Sequence, residues 1–137
     1  MNLPRRLALF FGLAWPLRGL AAALDVGPLR DALARARALR DQAVRDGDQP
    51  YGAVVWLEGR IVGEAPSRVV TLRNADAHAE REALRDAQQR LGRTDLAGAL
   101  LVSSSRPCGL CEAAAARARI SRMVYGEGTD AGAPRER

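Results

Sequence analysis

Residues 98–126, GALLVSSSRPCGLCEAAAARARISRMVYG, decide the fold. The apolar run Ala99–Val102 suits a strand buried on both faces. It hands the chain to a short polar segment ending at Arg106 and Pro107. The alanines from Ala113 to Ala118 then favour a helix, because alanine loses no side-chain entropy there. Ile120 to Tyr125 returns to residues that fit a pleated surface, and reads as a second strand. A strand, a helix and a strand on short connections favour parallel pairing through a crossover.

Working toward the N-terminus, YGAVVWLEGRIVGEA (residues 51–65) gives two short runs rich in Val, Ile and Trp around Glu58-Gly59-Arg60, a hairpin pattern. Before it, Leu29, Leu33, Ala36, Leu39 and Ala43 recur at helical spacing. DGDQP stops that helix, since proline disfavours helical backbone at the residue before it. Between the hairpin and the long apolar run, Ala83, Leu84, Ala87 and Leu91 mark another helix, which begins near His78 and ends at Gly92. The expected order is helix, hairpin, helix, strand, helix, strand. The most economical packing is a mixed sheet between helices, a three-layer α-β-α sandwich of the α/β class.

The 137 residues suit one domain, and 47% hydrophobic with 27% charged residues is ordinary for a globular chain. All 21 basic residues are arginine, scattered among 16 acids, for a formal charge of +5. Residues 1–24, MNLPRRLALFFGLAWPLRGLAAAL, run from a basic start through an apolar stretch to small residues, the order of a secretory signal. The apolar stretch is too short for the roughly 20 residues of a membrane span, so no stable span is expected after processing. The alternative is a first amphipathic helix, with a cytoplasmic protein. Export places the protein in the periplasm or outside the cell, and Arg5-Arg6 leaves the Sec and twin-arginine routes open. Removing residues 1–24 leaves 18 arginines against all 16 acids, a formal +2. That small excess argues against a nucleic-acid partner. The expected organisation is a signal at 1–24, a folded domain at 25–126 and a frayed polar tail at 127–137.

The chain has one histidine, His78, two residues before Glu80 and at a helix start. Cys108 and Cys111 stand at the start of the next helix, where partial positive charge favours thiolates and a spacing of three puts both sulfurs on one face. One His and two Cys make three zinc ligands, and a three-ligand site leaves the fourth tetrahedral position to water. Pro107 suits a first helical turn. Taken alone, a lone His at a helix start is usually a cap, and C-x-x-C also fits a redox pair or a disulfide. The order H-A-E followed by P-C-x-x-C is the zinc deaminase signature.

Across residues 30–126, in PYGAVV, AHAE, PCGLC and ISRMVYG, the sequence resembles the cytidine and deoxycytidylate deaminase superfamily, in particular its bacterial nucleoside deaminase branch of guanine and tRNA adenosine deaminases. The resemblance implies the cytidine deaminase-like fold, one zinc ion per chain on His78, Cys108 and Cys111, and Glu80 as proton shuttle. The implied reaction is hydrolytic: water adds to the ring carbon bearing an exocyclic amine, Glu80 moves protons, and ammonia leaves. Three departures bear on substrate. Ser67 replaces an asparagine that contacts the base or sugar in many relatives, Arg106 replaces a glutamate, and the chain is shortened at the C-terminus. Ser67 and Arg106 are therefore candidate substrate contacts. Arg106 suits an anionic substrate group. A second subunit, as in a homodimer, is one way to complete the shortened pocket.

The expected function is zinc-dependent deamination of a small nucleobase, nucleoside or related aminated heterocycle, a small-molecule substrate without nucleic acid. The alternatives are a nucleic-acid deaminase of tRNA or toxin type, a redox protein using Cys108 and Cys111, and an inactive deaminase-like binding domain.

Overall fold

The structure, a computed structural model, describes residues 25–136. The expected signal segment 1–24 lies outside the described residues. A 3-10 turn, Gly27–Leu29, leads into α1 (Arg30–Arg45), followed by β1 (Gly52–Leu57), β2 (Arg60–Pro66), α2 (Ala79–Leu91), β3 (Leu100–Ser103), α3 (Gly109–Arg117), β4 (Arg122–Tyr125) and β5 (Thr129–Gly132). No described helix is long and apolar enough to cross a membrane.

The five strands form one sheet in the order β2-β1-β3-β4-β5. β1 is antiparallel to both β2 and β3, so β2 and β3 run the same way and α2 crosses over β1 between them. β3 and β4 are adjacent and parallel, with α3 as their crossover. The carboxyl ends of β2, β3 and β4 therefore open at one edge of the sheet, and the N-termini of α2 and α3 start there. In open α/β sheets that edge is where ligands bind.

Strand alternation builds two cores, because successive side chains point to opposite faces. On one face Val54, Val102 and Val124 meet Leu29, Leu33 and Leu39 of the α1 layer. On the other, Ala53, Val55, Leu101 and Met123 meet Ala79, Ala83, Leu84 and Ala87 of α2 and Ala115 of α3. Each fully buried Leu or Val contributes about 1.5–3 kcal/mol. Close approach of helix to sheet depends on two glycines. A Cβ on Gly52 would stand 2.2 Å from the Ala36 carbonyl oxygen of α1, and one on Gly63 would stand 2.5 Å from the Ala87 nitrogen of α2. No side chain fits at either position without displacing backbone.

Two expectations are corrected. The segment 127–137 is not simply a frayed tail: Thr129–Gly132 forms β5, antiparallel to β4. A turn closed by Gly128 N–H to the Tyr125 carbonyl at 3.1 Å returns the chain along the open edge of β4, whose unpaired backbone groups supply the partners. Farther along, the Arg135 backbone N–H donates to Glu112 Oε1 at 3.2 Å. Pro107 also lies outside α3. Cys108 is the N-cap, with extended backbone, and the helix begins at Gly109.

Candidate metal centre and active site

The N-caps of α2 and α3 are His78 and Cys108. His78 holds the cap position with extended backbone (φ −63°, ψ 147°) but makes no side-chain capping bond. Its imidazole is turned instead toward the sulfurs: Nδ1 lies 3.4 Å from Cys111 Sγ and 3.7 Å from Cys108 Sγ. Cys108 Sγ accepts the Cys111 backbone N–H at 3.4 Å, which fixes the two cysteines against one another. One ligand atom from each of the three residues lies within 4.8 Å of the others. This cluster is capable of coordinating a metal ion. Zinc–sulfur and zinc–nitrogen bonds of about 2.3 and 2.0–2.1 Å at tetrahedral angles place S and N about 3.5 Å apart. The two S···N distances bracket that value, so the donor set fits zinc in both chemistry and spacing.

Glu80, in the first turn of α2, is only 6% exposed. Its Oε2 accepts from the Cys111 thiol at 3.7 Å, so the carboxylate borders the cluster. Burial pushes the Glu80 carboxyl above its ordinary range, against the opposing pull of its own backbone N–H and of His78. Burial likewise raises the Cys111 thiol, and the neighbouring Glu80 carboxylate raises it further. A divalent cation reverses this local balance by stabilising the thiolate and carboxylate forms. The positive ends of α2 and α3 act in the same sense.

The other two candidates are placed differently. Ser67, 2% exposed, donates its hydroxyl to Asp48 Oδ1 at 2.9 Å, so its proton is committed to the protein. Arg106 is exposed on the segment after β3, with its guanidinium carbon 6.0 Å from the centre of the Tyr125 ring.

Asp48 is the residue that the sequence reading missed. Its Oδ1 accepts from Ser67 and from the Gln49 backbone N–H at 2.8 Å. Its Oδ2 accepts the N–H groups of Val70 and Thr71 at 3.0 and 2.8 Å. One buried carboxylate thus ties the end of α1 to the loop that delivers His78. Burial alone would raise the Asp48 carboxyl, but bonds from Thr71, Gln49, Ser67 and Val70 hold it well below the usual carboxylate range. DGDQP carries this acid in plain view, yet two of its partners lie 22 and 23 residues downstream, where no local pattern reveals them.

The family model described as the cytidine and deoxycytidylate deaminase zinc-binding region matches residues 28–127. The tRNA-specific adenosine deaminase of Agrobacterium fabrum is 40% identical over 87 residues, covering 64% of this chain and 57% of that protein. The guanine deaminase of Bacillus subtilis is 38% identical over 101 residues, covering 72% and 65%. A structure solved in a study of A-to-I editing by tRNA:A34 deaminases at the wobble position of transfer RNA has a TM-score of 0.68 at 35% identity, covering 69% of each chain. The chain spans less than two thirds of the length of either curated relative. These relatives correct the expectation of no nucleic-acid partner, since several are named for tRNA. That expectation rested on the expected export of the chain and on its small net charge, whereas phosphate binding depends on the local field of a few placed arginines. The matched residues run from α1 through β4 and include His78, Cys108 and Cys111, and the chain belongs to the cytidine and deoxycytidylate deaminase zinc-binding family.

Proposed function

We propose that this chain is a hydrolytic deaminase acting on an aminated heterocyclic base, with zinc held by His78 Nδ1 and the sulfurs of Cys108 and Cys111. The observation that carries the reading is the position of Glu80, a buried carboxylate 3.7 Å from a sulfur that itself lies 3.4 Å from His78 Nδ1. When bound, zinc supplies a Lewis acid that makes water nucleophilic near neutral pH. Glu80 takes a proton from the attacking water and returns it to the ring nitrogen. It then takes the remaining proton of the added hydroxyl and passes it to the exocyclic amine, so that the C–N bond breaks, the carbonyl forms and ammonia departs. One carboxylate can do both tasks because it borders both the water position and the base. Burial of Glu80 supports this role by making the protonated form accessible during turnover.

The base can be free or part of a nucleic acid. The second presentation is supported by the tRNA-directed relatives and by Arg68 and Arg73, both exposed on the loop that leads to His78. An ammonia-release screen with zinc-loaded protein tests the function over bases, nucleosides, nucleotides and single-stranded RNA. Release from at least one class, abolished in Glu80→Ala, is expected. Release that is the same in Glu80→Ala overturns the proposal.

A further inference from the structure

Building on the deaminase reading, we propose that Arg106 binds a phosphate group carried by the substrate, which makes the preferred substrate a phosphorylated nucleoside unit rather than a neutral base. Arg106 follows β3 and stands two residues before Cys108. Two residues of chain span at most about 7 Å, so the Arg106 backbone is within that distance of the Cys108 backbone, and its long side chain starts beside the cluster. It also lies at the carboxyl edge shared by β3 and β4, on the connection into α3 rather than along a helix face.

Two observations bear on what Arg106 can bind. The first is its support: the guanidinium carbon lies 6.0 Å from the Tyr125 ring centre, within cation–π range. Tyr125 is in turn registered beside Ser103 by the parallel β3–β4 ladder. A guanidinium that engages a ring electrostatically keeps its N–H groups for other partners, and their fork matches phosphate oxygens.

The second is its lack of a carboxylate partner. Among the described residues no acid lies within 4.0 Å of Arg106; nine of the seventeen described arginines have ion-pair partners, and Arg106 is the one without a partner that stands two residues from Cys108. The acids nearest in sequence on the C-terminal side are already engaged: Glu112 with Arg135 at 3.5 Å and Glu127 with Arg37 at 3.7 Å. Glu80 is buried beside the cysteines. The cation at this edge therefore stands beside Tyr125 with no carboxylate partner among the described residues.

The phosphate can be a 5′-monoester or an RNA diester, and equilibrium titration calorimetry separates them. Zinc-loaded Glu80→Ala protein, in which turnover is blocked, is titrated with adenosine and AMP, guanosine and GMP, cytidine and CMP, and with single-stranded RNA pentamers. The expected result is at least one phosphate-bearing ligand bound about tenfold more tightly than its nucleoside, equivalent to about 1.4 kcal/mol. That ratio falls to about one in Arg106→Ala and below one in Arg106→Glu, while Arg106→Lys recovers part of it. A gain in the monophosphate arm identifies a nucleotide, and a gain confined to the pentamers identifies RNA. No phosphate-dependent gain in the Glu80→Ala background, or a ratio unchanged when Arg106→Ala is added to it, overturns the proposal. Binding is read without turnover, so absence of ammonia release counts against the deaminase reading alone.

Discussion

Helices α2 and α3 bring their N-caps to the same cluster by different means. The segment entering α3 is Ser104–Pro107, four residues between a buried strand and the cap. It needs little beyond strand β3 and the fixed backbone of Pro107. The segment entering α2, Ser67–Ala77, has eleven residues, and its first half hangs on Asp48. Short connections are positioned by the elements they join, whereas a long one needs an internal anchor, here a carboxylate that takes four hydrogen bonds. The two sides of one metal cluster should therefore respond differently to damage.

The largest effect is expected at the carboxylate that both sides surround. Glu80→Gln keeps the shape and removes the proton carrier, and kcat should fall by about 10²–10⁴-fold with zinc content unchanged. Steady-state ammonia release measured beside metal analysis checks this. Loss of zinc together with activity would instead make Glu80 a structural support for the cluster.

Next comes the anchor of the long segment. Asp48→Asn sets an amide N–H against donors now satisfied by a carboxylate oxygen, and should cost about 2–3 kcal/mol in urea unfolding. Hydrogen exchange should rise at Val70 and Thr71 while β3 and α3 stay protected. Uniform loss of protection over both segments would contradict the contrast between them.

The pH dependence of the same anchor has a definite sign. Its folded carboxyl is held below the ordinary value, so its contribution is complete above about pH 4 and is lost as pH falls from there toward the folded value. The stability gap between wild type and Asp48→Asn should narrow below about pH 4. A gap that stays constant down to pH 2 would show that Asp48 is not the group responsible.

The smallest effect belongs to a pair outside both segments. Arg35 holds Glu64 through two hydrogen bonds of 2.9 Å, but Arg35 is 43% exposed. Arg35→Ala should cost about 0.2–1 kcal/mol and leave zinc content unchanged, by thermal unfolding and metal analysis.

The contrast also explains what the sequence makes legible. His78, Glu80, Cys108 and Cys111 are readable because each pair lies within one turn of a helix start: the spacing of three gives the cysteines a shared face, and the order H-A-E before P-C-x-x-C joins them to His78 and Glu80. The layered sheet is readable because apolar period and connection length constrain how β3, α3 and β4 can pack. Asp48 is hidden because its meaning lies in contacts across the loop, with nothing in its neighbours to signal them. β5 is hidden for a related reason: Thr-Asp-Ala-Gly carries no strand pattern of its own and pairs because β4 offers an open edge. Pro107 shows the limit of local rules. It marks the helix start correctly but stands one residue before the cap rather than inside the first turn.

The most direct test of the central claim is zinc stoichiometry in purified wild-type protein beside Cys111→Ser. The account predicts close to one zinc per wild-type chain and loss of most of it in the variant. Wild-type protein without zinc, carrying a reversible disulfide between Cys108 and Cys111, would contradict it.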